Sequence, residues 1–288
     1  MAMAISALAN DNSNPYPVTL SLAMLFYNEE ACVETVVREA HEVLQRTGES
    51  FELVAIQNGS LDSTPQILTR LVSELPELRI LVIPVNKGAG YGARKGWYDC
   101  RGRYVMGVSG DGQVDLQVIP AMFQLLRETG SEMAYGKRRT RPDGAHRAVV
   151  STIYRALMRL AFGIDSQDMN GLPKILHHKA LQEMRLVSDD HFFECEMVLK
   201  AARMGLRVCA MDVNFYARGA GKSSVGAKEI LAYVEHLARV GSGIGDKWGV
   251  RRVPQWRQRA EWLYFPDGST GATDLSASAL HPVNREGI

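Results

Sequence analysis

Between residues 18 and 110 the chain switches four times between a short apolar run and a longer segment suited to a helix. That alternation leaves few possible folds. Val18 to Tyr27 is a nearly continuous apolar run, as a strand covered on both faces must be. Asn28 then reads as a helix cap, with Glu29 and Glu30 in the first turn where negative charge is favoured. Val33, Val36, Val37, Ala40, Val43 and Leu44 follow as one stripe at helical spacing. Phe51 to Ile56 is predicted as a second strand, and Thr64-Pro65 opens a second helix. Ile80 to Val85 is the third strand, the turn Gly88 to Gly92 leads into a helix ending near Cys100, and Arg103 to Val108 is the fourth. Such an order specifies an α/β fold with a mostly parallel central sheet and helices on both faces.

The rest of the chain is less regular. Strands are predicted over 132–136 and 206–214, and helices over 144–163, 191–204 and 226–240. One domain over 18–250 is expected, its halves 18–115 and 116–250 sharing one sheet and one core. Residues 1–17 read as a disordered lead and 251–288 as a partly loose C-terminal extension. Thirty-three basic residues face 32 acidic ones, a net charge of +1, which argues against a nucleic-acid partner. No apolar run approaches the ~18–20 residues that cross a bilayer. The start, MAMAISALAN, has no basic residue before its apolar stretch and does not suit a secretory signal. Cys32, Cys100, Cys195 and Cys209 form no CxxC, so neither a zinc site nor a disulfide framework is expected. A cytoplasmic protein is the expectation.

In open α/β sheets, ligands bind beyond the carboxyl ends of the strands. Here each of those ends carries polar or glycine residues: Tyr27-Asn28-Glu29, Gln57-Asn58-Gly59-Ser60, Asn86-Lys87-Gly88 and Ser109-Gly110-Asp111-Gly112-Gln113. Asn-Gly and Asp-Gly are common turn formers, so each is also readable as a plain turn. The last is the most informative. A carboxylate and a carboxamide two residues apart offer hard oxygens to Mg²⁺ or Mn²⁺, whose shell substrate phosphates often complete. Three competing motifs fail. Gly221-Lys222-Ser223 lacks the glycine a phosphate loop needs five residues earlier, where Tyr216 stands. The glycines from Gly88 to Gly92 do not spell the dinucleotide fingerprint. His177 and His178 diverge on a helix and read as surface histidines.

Taken in order, these segments resemble glycosyltransferase family 2, in its dolichol-phosphate mannosyltransferase branch, over about residues 18–240. The family's P-x-Y-N-E is similar to Leu25-Phe26-Tyr27-Asn28-Glu29. Its D-D-G-S-x-D-x-T is similar to Gln57-Asn58-Gly59-Ser60-Leu61-Asp62-Ser63-Thr64. Its N-x-G-x-G resembles Asn86-Lys87-Gly88-Ala89-Gly90, and its D-x-D-x-Q resembles Ser109-Gly110-Asp111-Gly112-Gln113. Gly136-Lys137-Arg138, Asp168 to Leu172 and Arg218 to Ser224 resemble three later motifs. The departures are Gln57 and Asn58 in place of base-reading carboxylates, Ser109 in place of the first metal aspartate, and Ser224 in place of a lysine.

The resemblance implies a GT-A type fold and inverting transfer of a hexosyl group from a GDP- or UDP-sugar to a polyprenyl phosphate. The half 18–115 would hold the nucleotide sugar and 116–250 the acceptor. It implies Mg²⁺ or Mn²⁺ held by Asp111 and Gln113, and a nucleotide sugar framed by Tyr27, Glu29, Gln57, Asn58, Gly88, Ser109 and Gly110. Arg138 and Arg218 would neutralise the leaving diphosphate. Arg147 and Ser151, with Lys222 and Ser224, would meet the acceptor, at a site in peripheral contact with a membrane. A soluble hydroxyl acceptor would instead require a base, for which Asp190 is the candidate. A degenerate protein that binds a nucleotide sugar without turnover is a third possibility.

Overall fold

The computed structural model describes residues 15–139, 168, 170–190, 192–216, 261–266 and 268. Within them the elements run β1 (Val18–Phe26), α1 (Val33–Gln45), β2 (Phe51–Asn58), α2 (Thr64–Glu74), β3 (Leu78–Ile83), α3 (Ala89–Asp99) and β4 (Gly102–Ser109). A 3₁₀ turn (Leu116–Val118) follows, then α4 (Ile119–Glu128), β5 (Met133–Arg138), β6 (Lys174–His177), α5 (His178–Met184), α6 (Phe193–Met204), β7 (Arg207–Val213) and β8 (Glu261–Phe265). The strands form one sheet in the order β3-β2-β1-β4-β6-β5-β7-β8. Only β6 runs against its neighbours, β4 and β5.

Both faces of the sheet are covered, which is why its strands are apolar on both sides. On one face α1, α2 and α4 pack onto Leu20, Leu22, Met24, Leu53 and Met106. On the other, α3, α5 and α6 pack onto Ala23, Val54, Ile56, Val105 and Leu176. The predicted stripe of α1 is its buried face, residue for residue. Glycines let α3 lie close to the sheet: a Cβ at Gly96 would collide with Ile56, and one at Gly107 on β4 with Trp97 of α3.

The differences from expectation have local causes. Asn28 does not cap α1, which starts at Val33; Asn28 sits at φ 54°, in the left-handed region that asparagine tolerates. The third strand ends at Ile83 rather than Val85, because Pro84 has no N–H to continue the ladder. β6 and α5 were not expected, since four residues show no readable period. β8 comes from the region read as an extension and pairs in parallel with β7, so the sheet continues beyond residue 250. The helices expected over 144–163 and 226–240 lie outside the described residues.

The surface reading of the paired histidines is also corrected. His177 is buried against the edge of Tyr104. Nδ1 of His178 donates to the Gly102 carbonyl at 2.8 Å. Burial first, then the cations Arg103, His178 and Lys179, bring the His177 pKa down to about 4. The folded protein therefore keeps His177 neutral while the unfolded chain, near 6.5, takes up a proton as the pH falls. Stability from this site is complete above about pH 6.5 and is lost toward pH 4, by up to roughly 3 kcal/mol. Urea titrations of the wild type and His177→Gln at pH 7 and 4.5 should show a smaller pH-dependent loss in the variant.

Candidate active site

The chain passes from β1 to β2 and β3 on one side, then crosses to β4 on the other side of β1. The turns after β1 and β4 therefore meet at the carboxyl edge where the strand order reverses, the position of the ligand crevice in open α/β sheets. Sequence and topology bring the acidic loop to this position. Gly110 N donates to Leu25 O at 3.0 Å, and a Cβ at Gly110 would meet that same carbonyl oxygen at 2.5 Å. Glycine thus lets the loop cross directly over the end of β1. Ser109 is half-buried at the end of β4, and Asp111 is 9% exposed.

Asp111 Oδ1 accepts from Gln113 N at 3.1 Å, around Gly112 at φ 70°. The loop is then zipped to the chain beyond β7. Tyr216 N donates to Gln113 O at 2.8 Å, Gln113 Nε2 donates to Tyr216 O at 3.1 Å, and Val114 bridges Phe215. Asp115 secures the same seam, accepting from Asn214 Nδ2 at 3.3 Å and Tyr216 Oη at 3.2 Å. With its nitrogen used by Tyr216, the Gln113 amide keeps its oxygen as the end suited to a cation. No group of three or more His, Cys, Asp or Glu among the described residues forms a metal cluster. The donor set is one carboxylate and one carboxamide. It fits a Mg²⁺- or Mn²⁺-type cation that takes its remaining ligands from substrate phosphates and water, and it does not fit an all-protein cage.

On the β1–β2 side, most polar residues of the turns bind each other. Asn28 N donates to Ser60 Oγ at 3.1 Å, and Asn28 Oδ1 accepts from Leu61 N at 2.8 Å. Glu29 N donates to Thr64 Oγ1 at 2.9 Å. Asp62 accepts from the N–H groups of Glu30 and Thr64, both at 3.0 Å. Burial opposes the charge on Asp62, and these donors outweigh it and hold its carboxyl below the ordinary range. These bonds staple the two turns together and leave Tyr27 exposed at the rim and the Glu29 side chain half-buried.

Gln57 and Asn58 are both buried. Gln57 Oε1 accepts from Gly59 N at 3.3 Å. Asn58 Nδ2 donates to Asn86 Oδ1 at 3.2 Å and to Gly88 O at 3.3 Å, and Asn86 Oδ1 accepts from Gly88 N at 2.8 Å. These bonds hold the Gly88 turn, at φ 100°, above the end of β2. Asn58 Oδ1 is buried without a hydrogen-bond partner, an acceptor left over in this corner of the crevice.

On the far side, Arg138 differs from expectation. Its Nε and Nη2 each donate at 2.7 Å to Asp168, a two-point pair with a carboxylate only 4% exposed. Its guanidinium also lies 5.5 Å from the centre of the Phe215 ring. The group expected to grip a leaving diphosphate thus also ties Asp168 to the end of β5. Asp190 is exposed; its Oδ1 accepts from Phe192 N at 2.9 Å, just before α6. Lys174 was missed by the sequence reading. It is fully buried, donating to Gly171 O at 3.0 Å and paired with Glu194. Its setting in Lys174-Ile175-Leu176 gave only an apolar signal. Arg147, Ser151, Arg218, Lys222 and Ser224 lie outside the described residues.

A mostly parallel sheet with one antiparallel strand, carrying an acidic loop where its strand order reverses, is a GT-A type fold. Glucosyl-3-phosphoglycerate synthase from Mycobacterium tuberculosis, solved with Mn²⁺, uridine-diphosphate and glucosyl-3-phosphoglycerate, shares it. The TM-score is 0.61 over 86% of each chain at 15% identity. Staphylococcus aureus TarS, solved with UDP-GlcNAc, superposes with a TM-score of 0.54 over 79% of this chain and 67% of its own, at 16% identity. At such identities the likeness is one of fold. The model of the family described as Glycosyl transferase family 2 matches residues 21–189, and the chain belongs to that family. Among curated relatives, the glycosyltransferase AglD of Haloferax volcanii is 26% identical over 77% of this chain. The dodecaprenyl-phosphate galacturonate synthase of Rhizobium johnstonii is 25% identical over 83%. The undecaprenyl-phosphate 4-deoxy-4-formamido-L-arabinose transferase of Pseudomonas paraeruginosa is 23% identical over 75%. The matched region spans 37%, 71% and 63% of those relatives' lengths.

The Arg138–Asp168 pair has a direct test. Removing one partner strands a buried charge, so Asp168→Asn or Arg138→Met alone should cost about 3–5 kcal/mol. Arg138→Met with Asp168→Leu should recover most of that loss. Denaturant midpoints of the three variants check it; single variants as stable as the double would refute the assignment.

Proposed function

We propose that the chain is an inverting glycosyltransferase that moves a hexosyl group from a GDP- or UDP-sugar to a polyprenyl phosphate. The observation that carries this reading is the position of the Asp111–Gln113 loop. It crosses the end of β1 at the strand-order reversal, between the Tyr27 rim and the zipped 214–216 segment. The acceptor class rests on the relatives named for dodecaprenyl and undecaprenyl phosphate.

In this reading the nucleoside lies against Tyr27 and the Gly88 turn, and its diphosphate extends to Asp111 and Gln113. A divalent cation held there supplies positive charge for the diphosphate as it leaves. The protein fixes the donor so that the face of the sugar carbon opposite the diphosphate is open to the acceptor. An acceptor phosphate oxygen bonds to that carbon while the sugar–diphosphate bond breaks, and the electron pair departs on the diphosphate. The acceptor is already ionised, so no residue has to remove a proton; rate comes from placement and from charge stabilisation. Arg218, Arg147, Ser151, Lys222 and Ser224 are the remaining candidates for holding the two phosphates. No helix among the described residues is long and apolar enough to cross a membrane.

A hydroxyl acceptor is the second reading. It is favoured by Asp190, an exposed carboxylate at the head of α6, which would take the hydroxyl proton as the new bond forms.

Nucleotide release from GDP- and UDP-sugars, measured with Mg²⁺ or Mn²⁺, separates these readings. Release stimulated by a polyprenyl phosphate supports the first, and release stimulated only by a sugar or small alcohol supports the second. Binding with no turnover leaves a nucleotide-sugar-binding protein. Asp111→Asn should lower kcat by about 10²–10³-fold, the usual effect of losing one preplaced electrostatic group, with an unchanged melting temperature. Full activity in that variant would remove Asp111 from the mechanism.

A further inference from the structure

We propose that Glu196 is a positioning residue for the transfer reaction: its carboxylate fixes segment 187–190 against the Gly-rich turn that opens α3, and so sets the spacing between the donor and acceptor halves. The inference rests on the reading above, which places transfer between those halves.

Glu196 lies on α6 and is fully buried. Its two oxygens accept from Val187 N at 3.0 and 3.1 Å, and Oε2 also accepts from Ser188 N at 2.8 Å. Lys200, one helical turn on and also buried, pairs with it at 2.6 Å and donates to Arg185 O at 2.9 Å. The segment is thus wired to α6 by its backbone. Tyr98 of α3 holds the preceding residue, accepting from Leu186 N at 2.7 Å.

The next two residues reach the donor half. Asp189 O accepts from Tyr91 N at 2.9 Å, and the Asp189 carboxylate accepts from Arg94 Nε at 2.9 Å. A Cβ at Gly90 would collide with the backbone of Asp190. Tyr91 N is one of the first-turn amides that a helix cannot satisfy internally. A carbonyl from the acceptor half takes it. The Gly88 turn is therefore fixed from two sides, by Asn58 and Asn86 from one half and by segment 187–190 from the other.

Bulk stability does not account for this arrangement. A buried carboxylate–ammonium pair adds little compared with apolar side chains of similar volume. Two such side chains would fill the same space between α6 and the sheet. They would leave the N–H groups of Val187 and Ser188 without the acceptor that the Glu196 side-chain oxygens provide.

The test compares two double variants that both remove the ion pair. E196Q/K200M keeps an oxygen for the two N–H groups, and E196L/K200M does not. Readouts are melting temperature, transfer kcat/KM, and amide exchange in peptides covering 88–92 and 187–190. E196Q/K200M should stay near the wild type in all three. E196L/K200M should lose exchange protection in both peptides and lose roughly tenfold or more in kcat/KM, as expected for misplacement by about an ångström. If E196L/K200M does not fold, Gly90→Ala probes the link from the other side and should give the same two losses with the α6 ion pair intact. Protection retained at 88–92, or wild-type kcat/KM, in E196L/K200M (in Gly90→Ala if that variant is the one measured) overturns the proposal. Absence of transfer by the wild-type chain would instead overturn the glycosyltransferase reading, and exchange at 88–92 would still decide whether Glu196 fixes the donor turn.

Discussion

The structure depends on the direction change at β1. The chain builds β2 and β3 on one side of this strand and then returns to lay β4 on the other. β1 connects onward to β2 on one side and β4 to β5 on the other, so the loops at their carboxyl ends leave in opposite directions. The resulting gap needs no special residue to open it. It needs residues that let backbone cross it closely, and Gly110 over Leu25 is one such residue. The acidic loop then stands at a fixed height above the sheet because the sheet itself is rigid.

Charge in this region is mostly answered by protein. Asp115 is answered by Asn214 and Tyr216, Asp168 by Arg138, Glu196 by Lys200, and Lys174 by Glu194. A site built this way gains little stability from its ion pairs. What the pairs provide is geometry, tying the turns they belong to onto a strand or helix of the fold. Asp111 takes part in the loop itself, accepting from the backbone N–H of Gln113 at 3.1 Å across Gly112.

The first half of the fold was legible because its signals are long. Nine residues of β1 and thirteen of α1 give periods that chance rarely imitates. β6, at four residues, and β8, at five, give none, and both are held by partners far away in sequence. Of the candidate site, the shared position of its turns was legible: polar turns at four strand ends come together at one edge of the sheet. Composition alone could not tell Asn28, Ser60, Asp62 and Thr64, which bind one another, from Asp111, which sits at the crevice. Arg138 shows the same limit: sequence offers a basic residue at a strand end but not the acidic partner, thirty residues on, that the fold sets beside it. Lys174 and Glu196 were illegible for a related reason, since a charged residue inside an apolar run has no sequence signal for the partner that makes its burial tolerable.

In the proposed reading, the single carboxylate of the Asp111–Gln113 loop has a physical consequence. With one Asp and one Gln, the protein contributes one negative charge where a two-aspartate loop would contribute two. A divalent cation held in this loop would be less neutralised by protein and more dependent on the diphosphate for its ligands, so cation and donor would bind as a coupled pair. Coupling of that kind makes positioning of the nucleotide, rather than affinity for the ion, the step that assembles the site. The Gly88 turn, held by Asn58, Asn86 and Asp189, is where that positioning is built into the fold.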